Sequence, residues 1–141
     1  MTTIAYNHGD KEIAVDGRST NGSGVISLNN KDKSFKVGNR LFIMCGCVAD
    51  AENFVQEYPG PSALKYECCG IMIENGVAYL IEQESTGHYL TETLLCDESI
   101  GSGASFALAA MDFGKSAKEA VKYAMTRDVY TGGKIRVFKV K

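Results

Sequence analysis

Histidine is scarce in this 141-residue chain: only His8 and His88 occur, both in polar, turn-like stretches. A zinc site wants paired Cys-x-x-Cys or histidine partners at ligand spacing, so neither a metal nor a cofactor is expected. An excess of one charge is missing too, with 15 basic against 17 acidic residues and a net charge of −2. Such a balance offers no cationic face for nucleic acid or anionic lipid. There is no apolar run of about 18 residues and no signal-peptide core, which argues against export and membrane spanning. The five cysteines are odd in number and sit mostly in apolar runs. They read as reduced thiols in the core of a cytoplasmic protein, with no disulfide required. No internal repeat, linker or low-complexity segment divides the chain, so residues 1–141 are expected to form one domain. A chain of this length buries roughly two-thirds of its unfolded surface.

What is present is mostly strand in the first half. Residues 3–6 and 12–16 are short β-prone runs joined by Asn7-His8-Gly9-Asp10-Lys11, which has hairpin-loop chemistry. Residues 25–28 form a short strand after the Asn21-Gly22-Ser23-Gly24 loop, and 34–37 with 41–45 form a hairpin around Gly38-Asn39. The unbroken apolar run Leu41-Phe42-Ile43-Met44-Cys45 suits a central strand buried on both faces. Residues 49–58 are helical in composition, with acidic residues early and Pro59-Gly60-Pro61 as the stop. Strands over 66–73 and 77–81 flank Asn75-Gly76, the strongest hairpin signal, and a further strand covers 88–95. An alanine-rich helix over 104–113 ends at Gly114, and Ser116-x-x-Glu119 is a capping box opening the next helix. A last strand spans 134–140 with apolar residues on both faces. Strands followed by helices and a closing strand indicate an α+β fold, with helices on a largely antiparallel sheet.

Chemistry enters at the N-terminus. Removal of Met1 would leave Thr2 with a hydroxyl and a free α-amine on one residue, a nucleophile carrying its own base. An α-amine has an ordinary pKa of about 7.7–8, so near neutrality much of it can accept the hydroxyl proton. Four further segments accompany it in order: Asp16-Gly17-Arg18-Ser19-Thr20, Cys45-Gly46-Cys47-Val48-Ala49-Asp50, Ile100-Gly101-Ser102-Gly103 and Asp128-Val129-Tyr130-Thr131-Gly132-Gly133. Together they resemble the proteasome β-subunit family of N-terminal nucleophile (Ntn) hydrolases, including its bacterial ATP-dependent relative. The resemblance covers roughly residues 2–58 and 67–140.

It implies an Ntn-type sandwich of antiparallel β-sheets with helical layers, one of them abbreviated here, because only residues 49–58 stand where relatives carry two long helices. It implies a threonine peptidase or broader amidohydrolase acting on peptides or unfolded protein. Thr2 would attack the carbonyl while its amine takes the proton, directly or through a water. A lysine beside Thr2 would lower the amine and hydroxyl pKa values, with Asp16 orienting it. Counting toward Val37 and the Asn39-Arg40-Leu41 turn points to Lys33, whereas counting back from Gly46 points to Lys31. Both lie on one strand face, and Lys33 is preferred. Gly46 corresponds to the glycine whose N–H polarises the scissile carbonyl. Ser102, Asp128 and Thr131 correspond to polar positions that bond the Thr2 amine. An extended substrate would pair with Ser19-Thr20-Asn21 and Gly46-Cys47-Val48, and Met44 would floor an apolar specificity pocket. Assembly into a homo-oligomeric ring or stacked rings is implied, and an ATPase partner is left open. A non-catalytic self-assembling or binding protein on the same fold is the alternative, since fold does not fix function.

Overall fold

Short β-prone runs punctuated by glycine and asparagine turns become eleven strands and three helices in a computed structural model that describes residues 1–141. In chain order they are β1 (Thr3–Asn7), β2 (Glu12–Val15), β3 (Ser19–Thr20), β4 (Ile26–Leu28), β5 (Ser34–Val37), β6 (Arg40–Gly46), α1 (Val48–Glu57), β7 (Cys68–Glu74) and β8 (Val77–Gln83). There follow β9 (Tyr89–Thr93), β10 (Glu98–Gly101), α2 (Ala104–Asp112), α3 (Ala117–Ala124) and β11 (Arg136–Lys139). Every strand pairing is antiparallel. The contacts divide the chain into two units, Met1–Lys33 with Leu95–Val140, and Ser34–Leu94 with Lys141.

The first unit is built on a four-stranded sheet ordered β10-β1-β2-β11, with α2 and α3 packed on β1 and β2. Alanines make that packing close. Ala5 and Ala14 on the strands meet Ala107, Ala110, Ala117, Ala120 and Ala124 on the helices, with Val121 and Met111 filling between. The alternate residues Ile4, Tyr6, Ile13 and Val15 are buried as well, so β1 and β2 are covered on both faces. The Ser116 capping box forms: its hydroxyl accepts from Glu119 N–H and the Glu119 carboxylate accepts from Ser116 N–H. β10 was not marked by the sequence pattern, yet it pairs with β1 along its length, from Thr3 opposite Gly101 to Tyr6 opposite Glu98. The closing strand is shorter than the expected 134–140, and it exposes Val137 and Lys139 because β11 is an edge strand. β3 and β4 form a separate two-stranded ribbon.

The second unit is a five-stranded meander ordered β5-β6-β7-β8-β9, with α1 against β5, β6 and β7. Phe42, Ile43 and Met44 are buried in succession on β6, as the unbroken apolar run predicts. Asn75 and Gly76 take φ of 52° and 76°, the paired left-handed conformation that a two-residue hairpin demands. β7 starts at Cys68 rather than at residue 66, because the Tyr66 N–H is drawn off by the Gln83 side chain at 2.8 Å. None of the five cysteines is in the buried core: Cys45, Cys68 and Cys69 are half-buried, and Cys47 and Cys96 are exposed, all as free thiols.

Candidate active site around Thr2

The turn out of β2 delivers Asp16 into the interior of the first unit, where its side chain is fully buried. A buried carboxylate must be paired and saturated with donors, and this one is. Oδ1 accepts from the Lys33 ammonium at 2.8 Å and from the Thr3 N–H at 3.0 Å. Oδ2 accepts from the Gly132 N–H at 3.0 Å and, at longer range, from the Arg18 N–H at 3.4 Å. Lys33 is itself 92% hidden, with a side-chain exposure of 8%. It also donates at 3.1 Å to the carbonyl of Met1, the group bonded to the Thr2 nitrogen. Lys31 is tied in through its backbone, its N–H on Gly17 O and its carbonyl accepting from Arg136.

A second set of polar groups meets the carbonyl of Thr2, which is itself buried. The Ser102 N–H donates to the Thr2 carbonyl at 2.8 Å. That approach requires glycine at position 101, where φ is +102° and a Cβ would stand 1.8 Å from the Thr2 oxygen. The hydroxyls of Ser102 and Thr131 both donate to Asp128 Oδ2 at 2.5 Å. The Asp128 carboxyl is held below its ordinary range: burial pushes it up, but the bonds from Ser102 and Thr131 and the Tyr130 N–H outweigh burial.

The direction of one more bond follows from counting protons. Thr131 has a single hydroxyl proton and spends it on Asp128, so in the 2.6 Å contact with Thr3 the donor is Thr3. The Thr3 oxygen in turn accepts from the Gly103 N–H at 3.0 Å. A single ordered line therefore runs from the Gly103 amide through Thr3 and Thr131 to Asp128. Ser102 likewise gives its one proton to Asp128, the Thr2 carbonyl standing as a longer alternative acceptor at 3.5 Å, and its lone pairs stay unassigned. Thr2 thus has the Ser102 amide and hydroxyl at its carbonyl and the buried Lys33–Asp16 pair at the carbonyl bonded to its nitrogen.

Known structures share this architecture. Eukaryotic HslV from Trypanosoma brucei aligns over 99% of both chains with a TM-score of 0.73 at 19% identity. Thiobacillus denitrificans BPH aligns over 100% of this chain and 99% of its own at 0.72 and 15%, and BPH in complex with epoxomicin over 99% and 98% at 0.71 and 16%. The chain has the proteasome β-type fold. No protein-family model and no curated protein matches its sequence.

Of the residues that the resemblance singled out, this proteasome β-type fold brings Thr2, Asp16, Lys33, Ser102, Asp128 and Thr131 into one bonded set within the first unit. Ser19 and Thr20 lie on β3, opposite Leu28 and Ile26, with a bulge between them. Gly46, Met44 and Val48 belong to the second unit. Gly46 ends β6 at φ +109°, where a Cβ would lie 2.4 Å from Glu67 O, so close packing already requires glycine there. Met44 is buried in the cluster of Phe42, Phe54, Tyr66 and Met72. Val48 is the first residue of α1 and not part of an extended segment; only Cys47, the N-cap, keeps extended dihedrals. Gly101, Gly103 and Gly132 stand in the segments that carry the resemblance but have no role assigned by it, and Thr3 is not singled out by sequence at all. Nothing in Thr-Thr announces that the second threonine would be fully buried and doubly bonded. No three His, Cys, Asp or Glu side chains converge as metal ligands, and no helix is long and apolar enough to cross a membrane.

Proposed function

We propose that the chain is an N-terminal threonine peptidase, a hydrolase that becomes active once the residue ahead of Thr2 is removed. The observation that carries this reading is the position of the Lys33 ammonium, fixed by Asp16 at 2.8 Å and reaching the carbonyl attached to the Thr2 nitrogen at 3.1 Å. A buried positive charge there disfavours protonation of a freed Thr2 amine, leaving it to take the hydroxyl proton as Oγ attacks a peptide carbonyl. Ser102, with its proton committed to Asp128, accepts from the amine when it is charged. The proton then passes to the departing amine, and water releases the acyl group from Thr2 Oγ. The resemblance assigns stabilisation of the oxyanion to the Gly46 N–H and the specificity floor to Met44, which favours Leu, Met or aromatic side chains before the cleaved bond. Ser19 and Thr20 complete the substrate-binding assignment, from which Val48 drops out as the first residue of α1.

A homo-oligomer belongs to the same reading. Between α2 and α3 an apolar groove carries Phe113, 87% exposed, and Tyr123, flanked by Lys122 and Glu119 of opposite charge, a surface that suits a second copy of the chain. Sedimentation should show self-association at micromolar concentration.

The decisive test is intact-mass analysis of protein beginning at Thr2, treated with a peptide epoxyketone. One adduct on Thr2, lost in Thr2→Ala and absent while Met1 is retained, supports the peptidase. No adduct on the processed protein, with Met1 kept quantitatively by protein from its native host, replaces it with the non-catalytic assembly reading.

A further inference from the structure

In the second unit, the register of β6 on β7 sets Cys45 directly opposite Cys69. Residues facing each other across an antiparallel pair have Cα atoms about 4.5–5.5 Å apart. That separation lies inside the window of about 4.4–6.8 Å that a disulfide spans, so the backbone need not move to join them. The side chains already face one another: the two sulfurs are 3.4 Å apart. Closing to a bond of about 2.0 Å is a matter of side-chain rotation. Both thiols are half-buried, which leaves a small oxidant access while limiting exchange with bulky ones.

We propose that Cys45 and Cys69 are a redox dithiol, a modification site at which a hydroperoxide closes a cross-strand disulfide between β6 and β7. The two sulfurs differ in role. The bond between the two thiols holds the Cys69 thiol below its ordinary value, against burial and the Glu82 carboxylate and with help from Lys65. The same bond, with burial, pushes the Cys45 thiol up. Cys69 is therefore the attacking thiolate. Its sulfur takes one oxygen of hydrogen peroxide as the O–O bond breaks, and the departing hydroxide picks up a proton to leave as water. Cys45 then attacks the Cys69 sulfenic acid: the S–S bond forms, the S–O bond breaks, and the released hydroxide takes the Cys45 proton as a second water. Two electrons pass from the sulfurs to the peroxide, and the protein loses two hydrogens. The neighbouring thiol Cys68 is the poorer competitor, since burial and the Asp50 carboxylate push it up to about 12. The bridge would fix the ladder at the residue before Gly46, but the dithiol itself does not depend on the peptidase reading.

The test uses the whole chain and hydrogen peroxide, read by intact mass and a non-reducing peptide map. A loss of two hydrogens reversed by dithiothreitol, with the Cys45 and Cys69 peptides joined, is the expected result. Cys45→Ser should stop at a Cys69 sulfenic acid that dimedone captures. A variant with Cys47, Cys68 and Cys96 all changed to serine should still lose two hydrogens. Joining of any other pair, oxidation of Cys69 no further than single-sulfur acids in the parent, or no loss of two hydrogens in excess peroxide would each overturn the proposal, and the map of the parent decides it even if a variant fails to fold.

Discussion

Replacing Lys33 with alanine removes the charge that faces a carboxylate with no solvent exposure of its own. Breaking a buried pair by deleting one partner typically costs about 3–5 kcal/mol, because the remaining charge stays buried and uncompensated. Asp16 would keep its bonds from the Thr3, Gly132 and Arg18 N–H groups. These place Lys33→Ala toward the lower end, at about 3 kcal/mol, or a drop in Tm of roughly 10 °C for a chain of this size. Lys31→Ala, at a residue anchored by its backbone, should stay within about 0.5 kcal/mol. The double variant Asp16→Asn/Lys33→Met removes both charges while preserving shape, and should be more stable than the sum of its single changes by about 2 kcal/mol. Urea denaturation followed by circular dichroism measures these variants and the two single changes Asp16→Asn and Lys33→Met. A Lys33→Ala loss under about 1 kcal/mol would refute the reasoning, since it would mean that the pair behaves like a screened surface contact. Any effect of this variant on the proposed peptidase activity must accordingly be read on protein shown to be folded.

Asp128→Asn should lower stability at neutral pH by about 1–2 kcal/mol, the scale of two hydroxyl bonds to a charged acceptor that is partly open to water. Because the Asp128 carboxyl is depressed in the fold, its contribution is present above the ordinary carboxylate range and lost as pH falls through the lower folded value. Urea midpoints of parent and variant should thus converge in acid, and a gap that is unchanged below pH about 2 counts against the assignment. Thr3→Val keeps the shape but leaves the Gly103 N–H without its acceptor, a loss of about 1–3 kcal/mol by thermal unfolding; Thr3→Ser should restore most of it. Ser116→Ala removes one half of the capping box and should cost about 1 kcal/mol with no effect on any Thr2 chemistry.

Local signals were readable wherever chemistry and conformation coincide within a few residues. Ser116-x-x-Glu119, Asn75-Gly76 and the apolar run through Met44 each formed the expected element. Elements defined by a distant partner were not. β10 has four residues and little alternation, and it exists because β1, some 95 residues earlier, offers it an edge. The site divides in the same way. Asp16 and Ser102 stand out beside their glycines, whereas the role of Thr3 depends on Thr131 and Gly103 arriving from far along the chain. The expectation that Lys31 and Lys33 share a strand face fails, because β5 begins only at Ser34 and both lysines precede it, so counting along a strand could not choose between them; the ion pair is made by Lys33. The facing of Cys45 and Cys69 is likewise a property of register, invisible in a count of cysteines.

The hydroxyl line from Gly103 to Asp128 has an end that cannot be reversed, since an amide N–H donates and does not accept. With every proton on it pointing toward the carboxylate, the line cannot ferry a proton away from Asp128 through Thr131 and Thr3. It presents Asp128 with a fixed dipole, and on the peptidase reading it leaves the Ser102 hydroxyl as the branch open to proton exchange. On that reading proton movement beside Thr2 is reduced to one hydroxyl, so a solvent isotope effect on any reaction of Thr2 should respond to substitution at Ser102 and be indifferent to the exchange of Thr3 for serine.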